Sequence, residues 1–119
     1  MITFAQYMEM KARLEPKVEQ TKSAGVEHEA DLHDQILDYC RAKGWRAIHS
    51  RMDRPTTTGK GDPDFVVLAD GGRFYLVECK SRTGKRTAEQ HQFDHHAVKL
   101  GHTVWLVRSM AEFRNIVEV

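Results

Sequence analysis

The chain has 119 residues, enough for one domain with a buried core. A 29% charged, 40% hydrophobic composition with formal net charge +1 excludes a disordered polyelectrolyte and offers no bulk attraction to nucleic acid. Two cysteines, Cys40 and Cys79, are too few for a disulfide framework, and no apolar run reaches membrane-spanning length. The first stretch, MITFAQYMEMKARLEPK, carries no secretory apolar region, so a reduced, cytoplasmic setting without membrane contact is expected.

In chain order, residues 3–15 read as an amphipathic helix with Phe4, Tyr7, Met8 and Leu14 on one side. Pro16 disfavours helix at Glu15, and EQTKSAG reads as a linker. A second helix is predicted from Val26 to Lys43, stopped by Gly44. Trp45–Arg51 reads as a strand. Met52–Gly61 has no periodicity, and Pro55, Gly59 and Gly61 mark it as a long loop. Phe65–Leu68 and Phe74–Val77 flank an Asp-Gly-Gly turn, the pattern of a hairpin. After a basic loop, Thr87 begins TAEQ, a capping box, and predicts a helix over Ala88–Leu100 ending at Gly101. HTVWLVR is a fourth strand, and Ser109 caps a short final helix. The order α-α-β-β-β-α-β-α predicts an α/β domain, a mixed sheet with helices packed on it. Residues 1–25, helix and linker, are expected to be separate from the domain at 26–119, and their role is open.

The hairpin carries charges where a buried strand should not. Asp64 opens one strand, and Glu78 and Lys80 close the other. Alternation puts Phe74, Leu76, Glu78 and Lys80 on one face, expected to be buried, and the turn brings Asp64 and Glu78 to one end of the sheet. On the second helix, Leu32, His33, Ile36 and Cys40 fall within about 60° of Glu29, whereas Glu27 falls on the far side. An acid centred on a core-facing stripe needs a partner. Three acids converging with a lysine suit a hard cation such as Mg²⁺, and the chemistry they suit is phosphodiester hydrolysis.

These residues resemble the PD-(D/E)xK nuclease superfamily, with Pro63-Asp64, a spacer, then Glu78-Cys79-Lys80. More narrowly the chain is similar to the VRR-NUC (virus-type replication-repair nuclease) family over roughly Glu29 to Val107. The resemblance implies a restriction-endonuclease-like core and a Mg²⁺-dependent endonuclease, Mn²⁺ substituting, acting on DNA of structured or branched form. It implies metal binding by Asp64, Glu78 and the Cys79 backbone carbonyl, with Lys80 as the catalytic lysine. Glu29 would lie near or on the metal, and Gln90 would face the site. A DNA-repair or phage-encoded setting and a homodimer follow by the same analogy. Cys79 occupies a variable position of the motif, and its thiol is a soft donor able to bind soft metals artefactually.

Plainer readings stand beside these. Glu78 and Lys80 alone could be a salt-bridged strand end, and Gln90 could simply complete the capping box. A non-catalytic nucleic-acid-binding or assembly module would keep the fold. HQFDHH loosely resembles a zinc-peptidase motif, but Phe93, Ala97 and Leu100 are the expected core stripe, leaving His91 and His95 on a solvated face. Lys80, Arg82, Lys85 and Arg86 fall within seven residues without an acid. Beside a phosphodiester-cleaving site, Arg82, Lys85 and Arg86 become phosphate contacts, with Arg51, Arg54 and Lys60 as further ones.

Overall fold

The structure, a computed structural model, describes residues 2–14, 25, 28–49 and 61–118, with the backbone alone for 10–14. Glu27, Arg51, Arg54 and Lys60, with most of the predicted linker and long loop, lie outside the described residues. The elements are α1 (Phe4–Leu14), α2 (Glu29–Lys43), β1 (Arg46–His49), β2 (Phe65–Leu68), β3 (Phe74–Cys79), α3 (Ala88–Lys99), β4 (Val104–Val107) and α4 (Met110–Val117). The predicted α/β fold is the one adopted. One four-stranded sheet runs β1-β2-β3-β4, with β3 and β4 parallel and the other pairs antiparallel. A parallel neighbour needs a crossover, and α3 supplies it.

Local sequence fixes the helix ends. Gly44 closes α2 at φ 75°, a left-handed conformation that glycine adopts without strain. Thr87 and Gln90 form both bonds of a capping box on α3, and the Ser109 hydroxyl accepts from the Glu112 N–H to start α4.

One face of the sheet carries the hydrophobic core. Leu32, Ile36 and Cys40 of α2 and Phe113, Ile116 and Val117 of α4 pack on Phe65, Val67, Val77, Cys79 and Val107. Each fully buried large apolar side chain contributes about 1.5–3 kcal/mol, so this layer dominates the stability. The face of β3 expected to be buried is the other one. Phe74 is 51% exposed and Leu76 only partly covered, while Val77 and Cys79 are buried on the alternate set. FYLV is apolar at every position, so periodicity could not choose the face; the packing of α2 and α4 did.

The stripe on α3 also differs from expectation. Asp94 and Ala97 are its buried residues, and Leu100 is exposed. His91 and His95 are half-buried and not on a fully solvated face: α1 packs on α3, and the Phe4 ring meets both imidazoles edge-on. Tyr7 lies fully buried beside His95 and donates its hydroxyl to Asp94. A buried charge network, rather than an apolar stripe, sets the rotation of α3.

Candidate active site

The start of β2 and the end of β3 meet at one end of the sheet, where Phe65 pairs with Val77. The approach to β2 is pinned by Gly61, at φ 81°, where a Cβ would collide with the Glu89 carbonyl of α3. Three residues on, Asp64 Oδ2 accepts the Cys79 N–H at 2.7 Å. The Lys80 N–H donates to Val107 O at 3.0 Å, so the chain stays clamped to β4 beyond the strand end. The Lys80 side chain, 12% exposed, sets Nζ 3.9 Å from Glu29 Oε1 on the first residue of α2. Glu29 reaches this end of the sheet, but at 43% exposed it stands at the rim and not within the core-facing stripe expected of it.

Glu78 is engaged differently. Its side chain is 1% exposed, and its Oε2 accepts from Arg86 Nε at 2.7 Å. Arg86 also donates from Nη1 to Asp94 Oδ2 at 2.7 Å and from Nη2 to the Val104 carbonyl at 3.3 Å. Arg86 is therefore a buried counter-ion, 5% exposed, and not the surface phosphate contact expected of it. An isolated Glu78 charge could not survive there, and a guanidinium fork can serve two acids at once. Burial pushes the Glu78 carboxyl above its ordinary value, the Arg86 charge and hydrogen bond oppose that, Lys80 helps them, and Asp64 adds to the rise.

A third group gathers around Asp64. His33 Nε2 lies 3.8 Å from Asp64 Oδ2, and the Cys79 thiol completes a trio whose ligand atoms are all within 4.8 Å of one another. The Asp64 carboxylate raises the His33 pKa, outweighing the burial that lowers it, with Glu29 and Asp34 adding to the rise. His49 on β1 stacks on Phe65 at 4.4 Å and meets the His33 ring edge-on at 5.0 Å. Burial, then the neighbouring His33, lowers its pKa. Burial first, then Asp64, Glu29 and Glu78, pushes the Cys79 thiol far up. Sequence reasoning missed His33 although it lay on the same stripe as Glu29. It also missed Asp94, whose signal was an acid between Phe93 and Ala97 on a sheet-facing helix.

The basic loop is preorganised by its own carbonyls. Arg108 Nη1 donates to Ser81 O at 2.6 Å and Gly84 O at 2.7 Å. Arg82 and Lys85 stay exposed on it. Gln90 Oε1 accepts the Thr87 N–H at 2.9 Å, so this side chain is used in the cap.

Of the acids expected to converge on a cation, Asp64 is the one that lies in a close donor group among the described residues, while Glu78 is held by Arg86. Asp64 and Glu78 are close enough for one to raise the pKa of the other, and Glu78 is held up by desolvation despite its arginine. A positive ion at this end of the sheet would offset both effects.

A family model described as nuclease-related domain (NERD) matches residues 24–112. Among solved structures, one described as a VRR_NUC domain superposes with a TM-score of 0.62 at 21% identity, covering 76% of this chain and 94% of that one. The expected likeness to VRR-NUC therefore holds for the fold. No curated protein matches the chain. Among the described residues, no helix is long and apolar enough to cross a membrane.

Proposed function

The chain belongs to the nuclease-related domain family, and from that premise we propose that it is a metal-dependent endonuclease hydrolysing phosphodiester bonds in DNA of branched or otherwise structured form. The observation that carries this reading is the Lys80–Glu29 approach at 3.9 Å, at the sheet end where Asp64 holds the Cys79 amide. A lysine kept near an acid, beside two further carboxylates, is an arrangement for moving protons and charge during attack on phosphorus.

Asp64, Glu78 and the Cys79 carbonyl would hold Mg²⁺ or Mn²⁺. Such an ion, when bound, supplies charge neutralisation at a phosphoryl oxygen and a lowered pKa for a bound water. Lys80 orients the attacking water, and Glu29 holds the Lys80 ammonium in place. Arg82 and Lys85 contact flanking phosphates. Gln90 belongs to this proposal only through the resemblance, its Oε1 being committed to the helix cap. A homodimer is proposed as well, on the support of exposed Ile48, Leu68 and Phe74 along one sheet face, and a cytoplasmic setting fits the unpaired cysteines.

The test is a panel of branched, nicked, linear and single-stranded DNA and RNA with Mg²⁺, for wild type and Asp64→Asn. The asparagine keeps an acceptor for the Cys79 N–H, so a folded protein that has lost cleavage is expected. The second reading, a non-catalytic nucleic-acid-binding module, is favoured by one observation, the commitment of Glu78 to Arg86. It predicts binding without cleavage under every divalent ion, and the same Kd for Asp64→Asn.

A further inference from the structure

We propose that His33 Nε2, the Cys79 thiolate and one Asp64 carboxylate oxygen form a binding site for a thiophilic divalent cation, for which Zn²⁺ is the probe. This donor set differs from the all-oxygen set of the proposed magnesium site, and Asp64 is common to both.

The geometry is close to what such an ion needs. Tetrahedral Zn²⁺, with bonds of about 2.0–2.3 Å, holds its donors about 3.4–3.7 Å apart. The trio already lies within 4.8 Å, and the histidine nitrogen and carboxylate oxygen are 3.8 Å apart. Small side-chain movements close the remainder. His33 Nε2 is shielded from solvent and, among the described residues, meets the Asp64 carboxylate at 3.8 Å with no closer hydrogen-bond partner, a weakly satisfied condition that a metal bond would relieve. The Cys79 side chain is buried, but His33 and Asp64 are 20% and 19% exposed, which leaves the ion a way in.

The surroundings would hold these three ligands in place around an ion. The Cys79 N–H orients the carboxylate, as outer hydrogen bonds do in metal sites. Phe65 and His49 hold the His33 ring by edge-on contacts. Binding converts the thiol to a thiolate by releasing its proton to solvent, and no electron moves. Nitrogen and sulfur donors favour zinc over magnesium, so zinc bound here removes Asp64 from the oxygen site and inhibits cleavage. That consequence rests on the nuclease reading; the binding itself does not.

The experiment uses the full chain, reduced and stripped with chelator. Isothermal titration with Zn²⁺ is expected to show one equivalent, weakened at least about tenfold in both His33→Ala and Cys79→Ser. Wild-type protein loaded with Co²⁺ is expected to show a near-ultraviolet sulfur-to-cobalt charge-transfer band, a readout that needs no variant to fold. Absence of that band overturns the proposal. So does unchanged zinc affinity in folded His33→Ala, which would seat the ion elsewhere, for example at His91 and His95. A repeat in millimolar Mg²⁺ should raise the apparent Kd for zinc. An unchanged Kd with the cobalt band intact would leave this site standing and instead remove Asp64 from the proposed magnesium site.

Discussion

Arg86 Nε stands 2.7 Å from Glu78 Oε2, and the same guanidinium reaches Asp94 Oδ2 at 2.7 Å on its other arm. One buried cation therefore holds an acid of the sheet and an acid of α3, and joins the candidate active site to the crossover helix.

Breaking that junction should be costly. Arg86→Gln would leave two acids uncompensated, and a loss of about 3–5 kcal/mol is expected from urea unfolding. Arg82→Ala, on the exposed side of the same loop, should stay within about 0.5 kcal/mol of wild type. Similar losses for the two variants would show that the buried fork does not form.

Tyr7 extends the network into α1, outside residues 24–112 of the family match. Tyr7→Phe keeps the ring against His95 and removes only the hydroxyl that Asp94 accepts. A loss of about 1.5–3 kcal/mol is expected in denaturant, as for a hydrogen bond to a charged group. Wild-type stability would detach α1 from this role.

Lys80 and Glu29 separate catalysis from binding. Lys80→Ala should retain metal and nucleic acid yet lose about 10²–10⁴-fold in cleavage rate. Glu29→Gln should lower the rate as well, and a single-turnover assay at saturating DNA reads both. The pair adds little to stability, because Glu29 is 43% exposed and such pairs are worth under about 1 kcal/mol.

With Arg86 buried, the exposed charges of the basic loop are Arg82 and Lys85. Replacing both by alanine should reduce the salt slope of DNA binding by about 0.7–0.9 for each phosphate no longer neutralised. Fluorescence anisotropy across a salt series decides it, and an unchanged slope would make both side chains merely solvated.

The His33 shift gives a pH dependence with a definite sign. Its folded pKa lies above the ordinary value because of Asp64, so the native state binds more protons than the unfolded chain above about pH 6.5. In metal-free protein this contribution is complete below that pH and is lost as pH rises through the folded pKa. Unfolding free energies between about pH 6.5 and 8 should fall with pH in wild type, and fall less in His33→Asn. His49, shifted downward by burial and by His33, acts with the opposite sign below about pH 6.5, so the comparison is read above that pH. A slope unchanged by His33→Asn would contradict the pairing of His33 with Asp64.

The sequence by itself determined the local grammar of this protein. Gly44, the Thr87–Gln90 box and Ser109 mark helix ends whose chemistry is complete within four residues, and the Asp-Gly-Gly turn sets the hairpin. Helical angle put Glu29 on the side of α2 that carries Leu32, Ile36 and Cys40, but its place at the exposed rim beside Lys80 was set by the docking of the helix on the sheet. Tertiary structure decided what depends on partners distant in the chain. FYLV has no polar position to name its outer face, so only the docking of α2 and α4 could select Val77 and Cys79 for the core. Arg86 looked like part of a solvated basic run, and its burial required Glu78, Asp94 and α3 to enclose it together. His91 and His95 became half-buried through the packing of α1 from the far end of the chain. Charges and aromatic rings satisfy themselves with whichever partner the fold brings near, and that choice is made by packing across long sequence separations rather than by the spacing of neighbours.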